Sequence, residues 1–169
     1  MPHDVVSCMC VKIKEEQLTK TRRKLKKKVF VIGLEKICEW VANKNCDLDF
    51  GYCVQDEFRS ADNCISINTR QNIENQVYTL LHECGHLILH NNENLYNKKY
   101  PSSAKMANYN RNTRLERSPK YKVDVLSEEI DAWRKGKDLA NRLDVYIDEE
   151  KYYSMMTKCV YSYVNTLAR

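Results

Sequence analysis

The pentapeptide His82-Glu83-Cys84-Gly85-His86 constrains this chain more than any other feature, because it dictates both a conformation and a neighbour. Two histidines four residues apart share a face only in an α-helix, where both imidazoles can turn toward one ion. Glu83 follows the first of them, within reach of a water at that ion. Two imidazoles do not close a metal site, and a third protein ligand normally joins them. His90, four residues further on, lies about 6 Å beyond His86 along the axis, too far for one ion held by a straight helix. It is expected at the helix end or beside the ligands, and His3 sits remotely in the N-terminal stretch. The fold must therefore bring a second element against the histidine helix.

A carboxylate on a later helix fits best. From Ser127 to about Leu143, the small residues Ala132, Gly136 and Ala140 recur every four positions and cluster on one face with Leu139 and Leu143. Such a stripe lets another helix approach closely, and Gly85 offers the matching gap on the histidine helix. Glu129 falls near the edge of that face, while Glu128 and then Asp131 lie further round. Glu129 is the expected third ligand and Glu128 the alternative. Both would also stand in the first turn of a helix capped by Ser127, complementing its dipole without any metal.

Around these two helices the sequence predicts an α+β chain, with helices packed on a small antiparallel sheet. Residues 1–28 read as a basic, irregular or loosely helical N-terminal segment, and 29–169 as a single domain. Phe30, Ile32, Leu34, Ile37, Trp40 and Val41 mark a first core helix from Val29 to Asn43. Short apolar runs at Phe50–Val54 and Cys64–Asn68 read as strands, Ile65 and Ile67 sharing one face of the second. The histidine helix spans about Asn72 to His90, stopped by Asn91-Asn92. Glu93 to Lys122 is polar and aperiodic, a long loop of the kind that is commonly functional. Asp148 caps a last helix ending near Leu167.

With 169 residues, 43% hydrophobic and 30% charged, the chain suits one domain with a real core. No apolar run is long enough to span a bilayer and no signal-peptide pattern opens the chain, so a cytoplasmic, membrane-free protein is expected. Eight cysteines then read as reduced thiols, mostly small apolar fillers. Cys8-x-Cys10 is too short and isolated for a zinc site. Cys84 points about 160° away from His86 round the helix, which makes it core rather than nucleophile. The net charge of +5 is concentrated in Lys20, Arg22, Arg23, Lys24, Lys26, Lys27 and Lys28, where a weak nucleic-acid contact is expected.

Three stretches together resemble the ImmA/IrrE family of zinc metallopeptidases, within the larger gluzincin-like, zincin-fold group. They are the strand Ile65-Ser66-Ile67-Asn68, the run from Leu80 to His90, and Glu128-Glu129-Ile130-Asp131-Ala132-Trp133 continuing through Gly136 and Leu139-Ala140. The last looks most like the small versions carried by phages and other mobile elements. No helix-turn-helix precedes the domain, so a fused DNA-binding repressor is not expected. The resemblance implies zinc held by His82, His86 and a carboxylate of the later helix, with Glu83 as general base. It also implies that the strand Cys64–Asn68 forms the sheet edge beside the cleft, where a peptide substrate could add as a further strand.

The expected activity is intracellular, zinc-dependent hydrolysis of peptide bonds in a specific protein, with Glu83 activating the metal-bound water. An oxyanion donor, a Tyr or an Arg, is expected from the long loop, where Tyr96, Tyr100 and Tyr109 are available and none is singled out. A SprT-like protease acting on DNA-attached protein shares the histidine motif but takes its third ligand from a later histidine, and none follows His90. The alternative is a non-catalytic metal-binding or nucleic-acid-associated regulatory module on the same fold.

Overall fold

A computed structural model describes the backbone of residues 4–108 and 113–168, and the side chains of residues 18–106 and 114–168. The first element, α1 (Asp4–Ala42), is one continuous helix of 39 residues. The basic segment, read from the sequence as irregular or loosely helical, belongs to this helix from Asp4 onward. Between Asp4 and Ala42 there is no proline and one glycine, and lysine and arginine are good helix formers, so propensity builds a helix where no apolar period announces one. Among the described side chains of α1, burial begins at Phe30, and Ile37 and Val41 continue the buried face. Ile32, expected in the core, is 44% exposed.

Asn45, at φ 52°, turns the chain out of α1 into a three-stranded sheet. Its strands are β1 (Asp47–Gly51), β2 (Glu57–Arg59) and β3 (Cys64–Asn68), in the order β1-β3-β2. β1 runs parallel to β3 and β2 antiparallel to it, so the sheet is mixed rather than antiparallel. Two expectations change with it. The first strand lies three residues earlier than Phe50–Val54, and β3 is the central strand, not the edge. The apolar run of β3 is the signature of a strand covered on both sides: Ile65, Ser66 and Ile67 are all buried. The cleft-side edge is β2, too short and polar to stand out in the sequence.

Helix α2 (Ile73–His90) follows, with the Asn72 side chain accepting the Asn75 backbone N–H as N-cap. The segment expected as a long loop is largely helical. It forms α3 (Glu93–Lys99), α4 (Pro101–Asn108), α5 (Thr113–Glu116) and the start of α6 (Pro119–Arg142). Asn92 caps α3, so Asn91-Asn92 both stops one helix and starts the next. Helix α6 begins nine residues before the expected start. Ser118 is its N-cap and Pro119 occupies the first turn, a pairing suited to a helix start. Ser127 is not a cap, and Glu128 and Glu129 stand mid-helix, which removes the dipole explanation for them. The last helix, α7 (Glu149–Leu167), has Asp148 as its N-cap and ends where expected.

The core lies where α2 meets α6, flanked by α1, β3 and α7. Val77, Leu80, Leu81 and Cys84 of α2 pack with Trp133, Leu139 and Ala140 of α6 and Tyr152 of α7, all at 1% exposure or less. The approach of α2 and α6 is set by two glycines. A Cβ on Gly85 would collide with the Ala132 carbonyl, and one on Gly136 with the Leu81 carbonyl. Each helix thus presses backbone into a gap left by the other. The described cysteines are all free thiols, with Cys46, Cys64 and Cys84 buried and Cys53 exposed. Among the described residues, no helix is long and apolar enough to cross a membrane.

Candidate metal centre

Helix α2 turns His82 and His86 toward α6, and Glu129 comes from α6 to meet them. Glu129 Oε2 lies 3.3 Å from His82 Nε2, and Glu129 Oε1 lies 3.6 Å from His86 Nε2. One donor atom from each residue fits within 4.8 Å of the others, an arrangement that could hold a metal ion. All three side chains are 13% exposed or less. The donor set also fits on its own terms. Glu129 Oε2 is buried, and although close to His82 it makes no aligned hydrogen bond. A lone-pair donor held dry and unbonded is costly unless a ligand satisfies it.

Glu128, one residue earlier, serves the same site from outside. Its Oε1 lies 3.5 Å from His86 Nδ1 and 3.3 Å from His90 Nε2, and its Oε2 accepts the Tyr96 hydroxyl at 2.8 Å. A carboxylate on the far nitrogen of a ligand histidine fixes the ring's orientation and leaves Nε2 for the metal. The two glutamates between which the sequence hesitates therefore divide the work: Glu129 joins the histidine cluster, and Glu128 buttresses His86. His90 is at the helix end beside Glu128, outside the cluster. The ring of His82 is held by Trp133, stacked on it at 4.4 Å between centroids and an angle of 19°.

The electrostatics follow from these contacts. Burial pushes the Glu129 carboxyl up, but its contacts with His82 and His86 outweigh this and bring it down to about 2. Glu128 is likewise lowered to about 2, burial being overcome by His86, His90 and Tyr96. Burial lowers His86, yet Glu128 and Glu129 on either side raise it to about 10. The two carboxylates on either side of His86 favour its protonated form. Glu83 moves the other way: burial raises its carboxyl, and His82 and His86 only partly offset that. An acid poised above its ordinary range is suited to taking and returning a proton. Cys84 is fully buried and its thiol is pushed well above the usual range by burial, which fits the core role.

The cleft over this cluster has a volume of about 280 Å³ and is bordered by Gln55, Asp56, Glu57 and Phe58 at strand β2 and by Tyr163 of α7. Of the expected loop tyrosines, Tyr96 is bound to Glu128, and Tyr100 donates to Asp131 Oδ2 at 2.7 Å. Neither hydroxyl is free to face a substrate. Tyr109, His3 and the thiols of Cys8 and Cys10 lie outside the described residues. Tyr163 is the residue the sequence reading missed: it interacts with Glu129 from α7, and burial together with that carboxylate raises its hydroxyl. Its only sequence signal is a place on a helix whose docking side cannot be read without the fold.

Compared with models of known families, with curated proteins and with solved structures, the chain matches none.

Proposed function

We propose that the chain is a zinc-dependent peptidase of the ImmA/IrrE type. The observation that carries this reading is the convergence of His82, His86 and Glu129, with the buried, proton-poised Glu83 beside them. Two imidazoles, one carboxylate and an adjoining general base suit a catalytic zinc with an open position. Zinc held there by His82, His86 and Glu129 would supply a Lewis acid, acidifying a water and polarising a carbonyl.

The chain's own residues supply the rest. Glu83, one position from the ligand His82 and with its carboxylate 3.8 Å from His82 Nε2, accepts the proton of the attacking water and returns it to the leaving amine. Glu128 and Trp133 hold the two imidazoles in place. β2, hydrogen-bonded to β3 on one side and adjoining the cleft, offers its open edge to an extended peptide, the role the sequence reading gave to β3. Tyr163 borders the cleft with its hydroxyl against Glu129. Once that carboxylate is taken up by a metal, the hydroxyl can turn to donate to the carbonyl oxygen as charge develops on it.

The test is zinc content together with cleavage of a mixed peptide library read by mass spectrometry. The unmodified chain is expected to carry one zinc and to cut a restricted set of peptides. Glu83→Gln should keep the zinc and lose cleavage by about 10²–10⁴-fold. Full activity in Glu83→Gln would overturn the mechanism, and a folded chain that takes up no added zinc would overturn the metal assignment.

A further inference from the structure

Beyond peptide hydrolysis, we infer that the exposed basic stretch of α1 is a docking helix for the major groove of double-stranded DNA. Every described side chain from Leu18 to Leu25 is exposed, and the first buried one among the described residues of the helix is Phe30. This part of α1 is therefore a solvated helix that contributes little to the core. It carries Lys20, Arg22, Arg23, Lys24, Lys27 and Lys28, none of which has a carboxylate partner among the described residues. Lys26 is set apart, turned inward to Glu74 at 3.2 Å and Asp148 at 3.8 Å.

The arrangement of charge round the rod selects the partner. At about 100° per residue, the cations of this block cover about two thirds of the circumference, and the remaining strip is apolar except for Thr21. That strip holds Leu18, Leu25 and Ile32, at 59%, 63% and 44% exposure, together with Val29. Arg22 flanks it on one side, Lys24 and Lys28 on the other. A major groove has this pattern in complement: phosphates along both walls, and base edges with thymine methyl groups on the floor. It is about 12 Å wide, matching the 10–12 Å diameter of a helix with its side chains. A groove wall reaches Lys24, about 100° round from the middle of the strip, where a flat anionic membrane does not, whereas Lys20, Arg23 and Lys27 point away from either. A second copy of the chain would bring like charges together. The deep, narrow major groove of duplex RNA does not admit a helix.

The test uses the full chain and a fluorescein-labelled 20-base-pair DNA duplex, followed by anisotropy at 50 mM and 200 mM KCl. The comparison is a variant carrying Lys20→Gln, Arg22→Gln, Lys24→Gln and Lys28→Gln. These positions are exposed and glutamine keeps helix propensity; circular dichroism and the unfolding midpoint verify the fold. Micromolar binding is expected at 50 mM, weakening by roughly a hundredfold at 200 mM if about four phosphates are neutralised. The variant should lose at least tenfold in affinity and show a flatter salt dependence. Absence of binding at 50 mM would overturn the inference. So would equal binding by a correctly folded variant, or tighter binding to duplex RNA or to phosphatidylserine vesicles than to duplex DNA. None of these readouts depends on zinc or on cleavage, so this inference and the peptidase reading fail separately.

Discussion

At Glu128 and Glu129, adjacent residues on one turn reach different atoms of the same histidine. Glu129 faces Nε2 of His86 and Glu128 faces Nδ1, and on the proposed reading this makes Glu129 the ligand and Glu128 the buttress. Replacing Glu129 by Ala should abolish stoichiometric zinc. Glu128→Gln should leave the site intact but weaken zinc by about 10–100-fold, because the ring loses its charged anchor. Competition against a chromophoric chelator measures both, and equal losses in the two variants would refute the division of labour. Tyr163→Phe makes a separate prediction. With zinc content unchanged, kcat should fall by about 10²-fold while KM stays near its original value, as expected for a donor used only as charge develops. A rise in KM alone would make Tyr163 a binding residue instead.

At the scale of elements, the centre depends on how closely α2 and α6 approach. Gly85 is one residue from His86, and its missing side chain leaves room for the Ala132 carbonyl. Gly85→Ala puts a methyl against backbone, which cannot move as a flexible side chain would. The helices must separate, at a cost of at least about 2 kcal/mol in urea unfolding. The same shift draws Glu129 away from the histidines, so zinc affinity should fall with stability. Wild-type stability in this variant would show that the contact is not tight. Part of this element scale is legible in the sequence. The four-residue spacing of Ala132, Gly136 and Ala140 reveals the contact face, and Asn72 and Asp148 reveal two helix starts. The start of α6 is not legible that way. Its first two turns lie over α4, where the Asp124 carboxylate accepts the Ser102 backbone N–H at 2.6 Å, and this polar packing leaves no apolar period.

For the whole molecule, the buried charges couple stability to pH. In the metal-free chain, Glu128 and Glu129 are lowered from 4.5 to about 2, so their contribution is complete above pH 4.5 and lost as pH falls through about 2. His86 is raised from 6.5 to about 10, so its contribution is complete below pH 6.5 and lost as pH rises through about 10. The unfolding midpoint without zinc should therefore peak between about pH 4.5 and 6.5. Zinc needs His86 deprotonated, so its affinity, and the stabilisation it adds, should grow with pH and move that peak upward. Thermal unfolding across pH, with and without zinc, checks this; a peak that zinc does not shift would mean that His86 is not a ligand.

The sequence by itself determined the helix of His82, Glu83 and His86, the apolar face of α6 and the need for an acidic third partner. Each is a local matter of spacing along a helix, and 3.6 residues per turn suffices to read it. Only the tertiary structure decided that Glu129 points into the cluster and Glu128 behind it, since the two stand about 100° apart round the helix and its docked orientation fixes which of them faces the histidines. It also decided that β3 lies inside the sheet with β2 at the edge, because strand order is set by long-range pairing. Tyr163 belongs to the same class. It reaches the cleft from the far end of the chain through the docking of α7, and no spacing within its own helix records where that helix will lie.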